Sequence, residues 1–487
     1  MNAHSSVRKR KSLNMVLAST MALSMLLSFG ATAYGQAGIT VTNTAEQAQQ
    51  TAATNVPKQA RTSTETRQQW NEWTRKNAHA LDSIKPETVT DGGKMDANRF
   101  KDLEMLKPLL KDKRIVYLGE SSHGAAEFNS AKTRLIQFLH QEMGFNVVAF
   151  ETSLGKAASA YGNAKSAPSV KTMKDSIFSI WWSQETLPLF DYIKETQKSN
   201  TPLQLAGFDM QPTGTIFNSA WIGNDKLEKS FNDAELELEE WNYSSDLEGY
   251  RKAKPRLTAL YKQIKQMVPE RAEALRKQYP DNPHIVKLTE RALDNRLQVV
   301  NGYLELGAQT NAVYEGKSYD FMSIVKSTEY RDRMMADNLV WLATHVYPNE
   351  KIIVWAHNGH ISKAFSKERA ARMPMRYMGE LMQQTKFKDL GYVIGLFMGG
   401  GKNADTAKEL IDVLPPMPHS IEEVMKGAGH PYSFIDLKSQ TLVPENTWIN
   451  QPMFSYVDGT MPVISVPKEQ YDGILYIDHT NAPTYIK

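Results

Sequence analysis

Apolar residues in this chain gather in short continuous runs that alternate with longer stretches of helical spacing. Ile115–Leu118, Val147–Phe150 and Ile352–Trp355 are each four residues long and bounded by polar or charged positions. Runs this short and unbroken read as strands buried on both faces, the habit of parallel sheets. Tyr392–Phe397 and Gly473–Ile477 repeat the pattern, and Leu203–Phe208 leads into Asp209. Between them the period changes. Ala125–Met143 places Phe128, Leu135, Ile136 and Leu139 on one helical face, and Gly144 is a C-cap. Leu187–Thr196 and Met378–Gln384 also read as helices, as does Leu103–Leu110, which Pro108 shortens. This β-α-β rhythm predicts an α/β fold: a largely parallel sheet covered by helices.

Residues 222–345 break the rhythm. Charged residues alternate there with Leu, Met, Tyr and Val at helical spacing, interrupted near Pro280 and Pro283. They predict a long helical insertion walling the cleft of a domain spanning residues 67–487, which Trp70, Trp73 and Leu81 open. Residues 34–66 are rich in Thr, Ala, Gln and Asn and read as a disordered spacer.

Residues 1–33 carry the pattern of an export signal. Arg8, Lys9, Arg10 and Lys11 precede an apolar stretch from Met15 to Leu27 and an Ala31-Thr32-Ala33 cleavage site. Removal of those four charges takes the formal charge of +3 to −1. The expected location is therefore secreted or extracytoplasmic, without stable membrane insertion after cleavage; the alternative is an N-terminal anchor. No basic patch argues for nucleic acid. The absence of cysteine excludes disulfides, thiolate metal sites and cysteine nucleophiles.

Chemistry collects at the predicted strand ends, where open α/β sheets bind ligands. Gly119-Glu120-Ser121-Ser122-His123-Gly124 follows the first strand, Glu151 follows the second, and His357-Asn358-Gly359-His360 follows the third. A histidine takes a proton from water near neutral pH, and an adjacent carboxylate orients it and stabilises its charge. Glu120 or Glu151 could partner His123. The same turn also reads as a serine-capped helix start, with Glu120 favouring the helix dipole. His357 and His360, with Glu120 or Glu151, have spacing that could hold a metal, or one of them could polarise a carbonyl. Ser121 sits in a near-match to a nucleophile elbow, but His123 replaces its last glycine. Arg331 and Arg333 read as a solvated helix face with ion pairs; the alternative is that one of them points into the cleft and binds a carboxylate or phosphate.

Taken in order, Gly119-Glu120-x-x-His123-Gly124, Val148-Ala149-Phe150-Glu151, Gly207-Phe208-Asp209, Arg331-Asp332-Arg333-Met334-Met335-Ala336 and Ala356-His357-Asn358-Gly359-His360, continuing through Met378-Gly379-Glu380-Leu381, resemble the erythromycin esterase family. The resemblance covers roughly residues 67–487. It implies an α/β core with helical additions and a metal-independent, cofactor-free hydrolase in which a histidine activates water to open a cyclic ester. The general base it points to is His123, with Glu120, Glu151, His357 and His360 in the same cleft. Arg333, Asp209 and Lys132 are assigned to substrate binding. Lys132 stands where the family's esterases are expected to carry arginine. The expected substrate is a small-molecule ester or lactone, with macrolides among the candidates. The rival readings are a metal-dependent hydrolase or peptidase and a non-catalytic, haem-type ligand-binding protein.

Overall fold

The computed structural model describes residues 63–89, 92, 95–368 and 374–487. The export signal and most of the spacer lie outside the described residues. The first described helix, Thr64–Asn77, begins inside the span read as spacer, because Ser63 caps it by accepting from the Thr66 N–H.

The strands are β1 (His79–Ala80), β2 (Ile115–Leu118), β3 (Val147–Ser153), β4 (Gln204–Asp209), β5 (Ile352–Trp355), β6 (Gly391–Met398), β7 (Lys402–Ala404), β8 (Leu410–Asp412), β9 (Tyr432–Asp436), β10 (Met453–Val457), β11 (Met461–Ser465) and β12 (Gly473–Ile477). Eight of them form one sheet in the order β1-β9-β12-β6-β2-β5-β3-β4, and β7–β8 and β10–β11 make two hairpins. The six strands from β12 to β4 run parallel, and β9 is antiparallel to β12 and β1. The sheet is largely parallel and helix-covered, as the alternation of runs predicted.

The period-two side-chain alternation of a strand divides the interior in two. Ile115, Tyr117, Val147, Ala149, Ile352 and Val354 face one core, which also takes in Leu257, Tyr261, Leu293 and Leu339 of the helical block. Val116, Leu118, Val148, Phe150, Ile353 and Trp355 face the other, with Phe128, Leu135, Ile136, Leu139 and Phe190. Gly144 ends its helix in the left-handed region at φ 70°, its N–H reaching back to the carbonyls of Leu139 and His140. Leu187–Thr196 is helical over the range read from the sequence. Leu103–Leu110 is not one helix: a 3-10 turn over Ala97–Leu103 precedes a short helix, Leu106–Leu110, with Pro108 inside its first turn.

The helical block runs from Asp225 to Trp341, between β4 and β5. The helix Ile285–Gln298 passes through a π-turn, Val299–Tyr303, before continuing as Leu304–Tyr314. The last long helix of the block, Met322–Trp341, carries Arg331 and Asp332 to the carboxyl edge of the sheet.

Candidate active site

Strand order assembles the site. β2, β5, β3 and β4 are consecutive neighbours, so the residues at their carboxyl ends lie side by side. Glu120 and His123 follow β2, His357 and His360 follow β5, Glu151 sits near the end of β3, and Asp209 closes β4. The chain leaves β2 toward β3 but leaves β5 toward β6, on the other side of β2. This change of direction makes the topological switch point at which open sheets form a crevice.

Two glycines make the turn after β2 possible. A Cβ on Gly119 would lie 2.0 Å from Asn358 Oδ1, and one on Gly124 would lie 2.0 Å from the Ala404 carbonyl oxygen. Asn358 locks the same turn. It donates to the Leu396 carbonyl at 2.9 Å, and its own N–H donates to the Glu120 carbonyl at 2.8 Å. Glu151 is aimed by an irregularity in β3, where the register with β4 shifts between Phe150 and Ser153.

The first cluster centres on Glu120, which is fully buried. Its Oε1 accepts from His123 Nδ1 at 2.7 Å and from Trp181 Nε1 at 3.0 Å, and its Oε2 pairs with the Lys132 ammonium. With a carboxylate at Nδ1, neutral His123 keeps its proton there and holds its lone pair on Nε2. Burial alone would lower the His123 pKa, but Glu120, helped by Glu151 and Asp458, outweighs it, and the value lies above that of a free histidine. Burial likewise works against ionised Glu120, yet Lys132 and His123 hold its carboxyl below the usual range. Lys132 rests 3.8 Å above the centre of the Trp355 ring, and burial pulls its pKa down to about 8 despite Glu120.

The second cluster centres on Glu151 and is an ion network. Arg331 Nη2 donates to Glu151 Oε1 at 2.8 Å and to Asp209 Oδ2 at 2.7 Å, while its Nε donates to Asp209 Oδ2 at 3.1 Å. His360 donates from Nδ1 to Asp332 Oδ1 at 2.7 Å, and its Nε2 lies 3.3 Å from Glu151 Oε1. Burial opposes its charge, but the two carboxylates overcome burial and raise its pKa to about 10. His360 is therefore an imidazolium at neutral pH, and its 3.4 Å approach to Arg331 Nη1 is contact between two donors, not a hydrogen bond. Burial would raise the Glu151 carboxyl; His360 and Arg331 hold it well below its ordinary value.

His357 joins the clusters. Its backbone N–H donates to Glu151 Oε2 at 3.1 Å, and its ring lies 5.1 Å from that of His123. Its Nδ1 accepts the Gly359 N–H at 3.1 Å, which assigns the proton to Nε2, 3.3 Å from the Ser121 carbonyl. Burial, reinforced by the charges of His123 and His360, lowers its pKa to about 3. It caps the short helix Asn358–Ile361 as a neutral ring and has no lone pair left to act as a base.

The residues assigned to substrate binding lie in different surroundings. Arg333 is exposed, with its guanidinium 5.0 Å from the Tyr330 ring centre; Arg331, two positions earlier, enters the site because a helix turns about 200° in two residues. Asp209 and Lys132 are fully buried and hold Arg331 and Glu120 from below, so neither offers a surface to substrate. Three site residues escaped the sequence reading. Asp332 had a usable signal, since it adjoins Arg331. Trp181 lies in a plain aromatic run. Asp458 sits in the β10–β11 turn at φ 51°; its N–H donates to the Ser121 carbonyl at 2.7 Å, and burial, its largest influence, raises its carboxyl pKa.

The metal reading finds few free ligands here. Both ring nitrogens of His357 meet protein groups, and those of His360 face Asp332 and Glu151. Among the described residues no group of three or more His, Asp or Glu side chains is arranged to hold a metal ion.

Fold and site together define an α/β protein in which two buried side-chain clusters, His123 with Glu120 and Arg331 with Glu151, meet at the switch point of the sheet. The chain belongs to the erythromycin esterase family, whose sequence profile matches residues 140–480. The matched span holds Glu151, Asp209, Arg331, His357 and His360 but begins after Glu120, His123 and Lys132. YbfO of Bacillus subtilis (strain 168), provisionally named a hydrolase, is 31% identical over 433 residues, covering 86% of this chain and 92% of its own. Erythromycin esterase type I of Escherichia coli is 27% identical over 323 residues, covering 60% of this chain and 70% of its own. A mutant of the erythromycin esterase EreC, solved in its open conformation, superposes with a TM-score of 0.53 at 19% identity, over 81% of this chain and 98% of that one. Family and relatives support a hydrolase.

Proposed function

We propose that this protein hydrolyses carboxylic esters or lactones with water activated by His123, without a metal. The observation that carries the reading is the His123–Glu120 pair: Nδ1 is held at 2.7 Å, which leaves Nε2 as the base. His123 is also a fifth exposed, while Glu120 is buried. In the proposed step, Nε2 removes a proton from water and the oxygen attacks the carbonyl carbon. The imidazolium formed is stabilised by Glu120, which Lys132 and Trp181 keep ionised and aligned. It then returns its proton to the departing alkoxide as the C–O bond breaks, giving an acid and an alcohol, or one hydroxy acid from a lactone. Arg331 Nη1 is the guanidinium nitrogen not committed to a carboxylate, and it supplies the charge for the developing oxyanion.

The relatives named erythromycin esterase make a macrolide lactone the first substrate to try, followed by simple aryl esters. Product mass identifies ring opening as a gain of one water. His123→Ala is expected to lower kcat by about 10²–10⁴-fold with the circular dichroism spectrum unchanged, and EDTA is expected to leave wild-type activity intact. Full activity in His123→Ala removes the general-base assignment. Loss of activity in EDTA, recovered with a divalent metal, moves the function to a metal-dependent hydrolase.

The proposed location is outside the cytoplasmic membrane, after cleavage near Ala33. No helix among the described residues is long and apolar enough to cross a membrane. N-terminal sequencing of the exported protein tests the location; an intact Met1 on a cytoplasmic product overturns it.

A further inference from the structure

Away from the site just described, a cavity of about 230 Å³ opens beside the amino-terminal ends of β6 and β12, and lysine lines it four times. Lys363, Lys388, Lys438 and Lys468 face two acids, Asp389 and Asp472, so the lining carries two positive charges beyond what it neutralises. Asp472 is the buried anchor, and its acceptors are already spent. Its Oδ1 takes the Lys363 ammonium at 2.7 Å and lies 3.5 Å from that of Lys438, while its Oδ2 accepts the Val393 N–H at 2.9 Å. The remaining ammonium donors outnumber their protein acceptors. Lys363 also reaches the Lys468 carbonyl at 3.2 Å, and Lys468 reaches the Gln440 carbonyl at 3.0 Å, which leaves further N–H groups on both. Crowding acts in the same direction as burial on Lys363: burial first, then Lys438 and Lys468, outweigh Asp472 and lower its pKa. Tyr117 and Phe387 add aromatic wall to the cavity.

We propose that this cavity binds a phosphate-type dianion, free or as a small phosphate monoester. Two unmatched positive charges suit a dianion, and several ammonium groups around one void supply the charge-assisted donors that phosphate oxygens take. The aromatic wall suits the organic part of an ester. The site is separate from His123 and does not depend on the hydrolase reading.

The test is ³¹P line broadening and thermal unfolding of the full chain with inorganic phosphate, against chloride at equal ionic strength. Wild-type protein should broaden the phosphate signal saturably and gain thermal stability with phosphate but not chloride. Lys438→Gln/Lys468→Gln should weaken both responses at least tenfold, and Lys438→Arg/Lys468→Arg should retain them. Should the double glutamine variant not fold, Lys388→Gln at the exposed rim gives the same comparison with a smaller expected loss. A phenyl phosphate that binds more tightly than inorganic phosphate assigns the monoester as the preferred form; equal binding assigns the free ion. Absence of saturable broadening in the wild type, or equal responses in wild type and glutamine variants, overturns the site.

Discussion

Replacing Glu120 by Gln should separate the chemistry of this site from its stability. In the native protein the carboxylate holds His123 Nδ1 at 2.7 Å inside the protein, with no exposed surface of its own. A hydrogen bond to a charged group is worth ~1.5–3 kcal/mol, and this one, against burial, holds the imidazolium pKa above that of a free histidine. Because that charge favours the protonated ring, its removal lowers the pKa. The rising limb of kcat/KM should move toward acid, and the plateau should fall by ~10²-fold or more, because an amide does not stabilise the imidazolium formed in the transition state. The substitution also strands the Lys132 ammonium over Trp355. Breaking a buried pair costs ~3–5 kcal/mol. Burial already lowers the Lys132 pKa to about 8 and loss of Glu120 lowers it further, so the loss should sit at the low end of that range. Adding Lys132→Met removes the stranded group, so Glu120→Gln/Lys132→Met should recover most of the stability and none of the activity. The assays are thermal unfolding and pH profiles of hydrolysis of an accepted ester. A double variant that regains activity with stability would reduce Glu120 to a scaffold role. An unmoved rising limb would show that His123 is not the titrating base.

His360 makes stability depend on pH with a definite sign. Its folded pKa of about 10 lies above the free value of 6.5, so its contribution is complete below pH 6.5 and is lost as pH rises through 10. That difference is worth up to ~5 kcal/mol, and urea unfolding should show a decline across this window that His360→Asn flattens; parallel curves for the two proteins refute the charged assignment. Arg331→Lys should lower kcat by ~10²-fold or more through loss of an oxyanion donor, whereas Arg333→Ala should stay within about twofold on its exposed helix face; the reverse ranking in steady-state kinetics would restore Arg333. Gly119→Ala should cost ~1–3 kcal/mol in thermal unfolding through its clash with Asn358 Oδ1, and a native melting temperature would show that the turn can shift.

The sequence by itself determined the strands and the types of chemical group. Four-residue apolar runs at Ile115, Val147 and Ile352 can be satisfied only by burial on both faces, and that requirement is local enough to read from one chain. The acids and histidines after those runs followed from the same reading, since strand ends are where a parallel sheet presents polar groups. β9 and the β10–β11 hairpin were not read as strands: β9, which lies between β1 and β12, carries Ser433 and Asp436 among its apolar residues, and hairpin residues such as Ser455 and Pro462 dilute the apolar signal. Which groups act, and in what protonation state, was decided only by tertiary structure. His123 and His357 look alike in sequence, but one meets the Glu120 carboxylate and the other accepts the Gly359 N–H. Glu120 outweighs burial at His123 and raises its pKa, whereas burial, reinforced by the charges of His123 and His360, lowers that of His357. Arg331 and Arg333 differ only in the helix face that packing turns inward. Lys132 became a buried counter-ion because its helix lies against Trp355 and Glu120. A sequence lists charges, but the field each one feels comes from partners far along the chain, and only the folded sheet order brings those partners within hydrogen-bond reach.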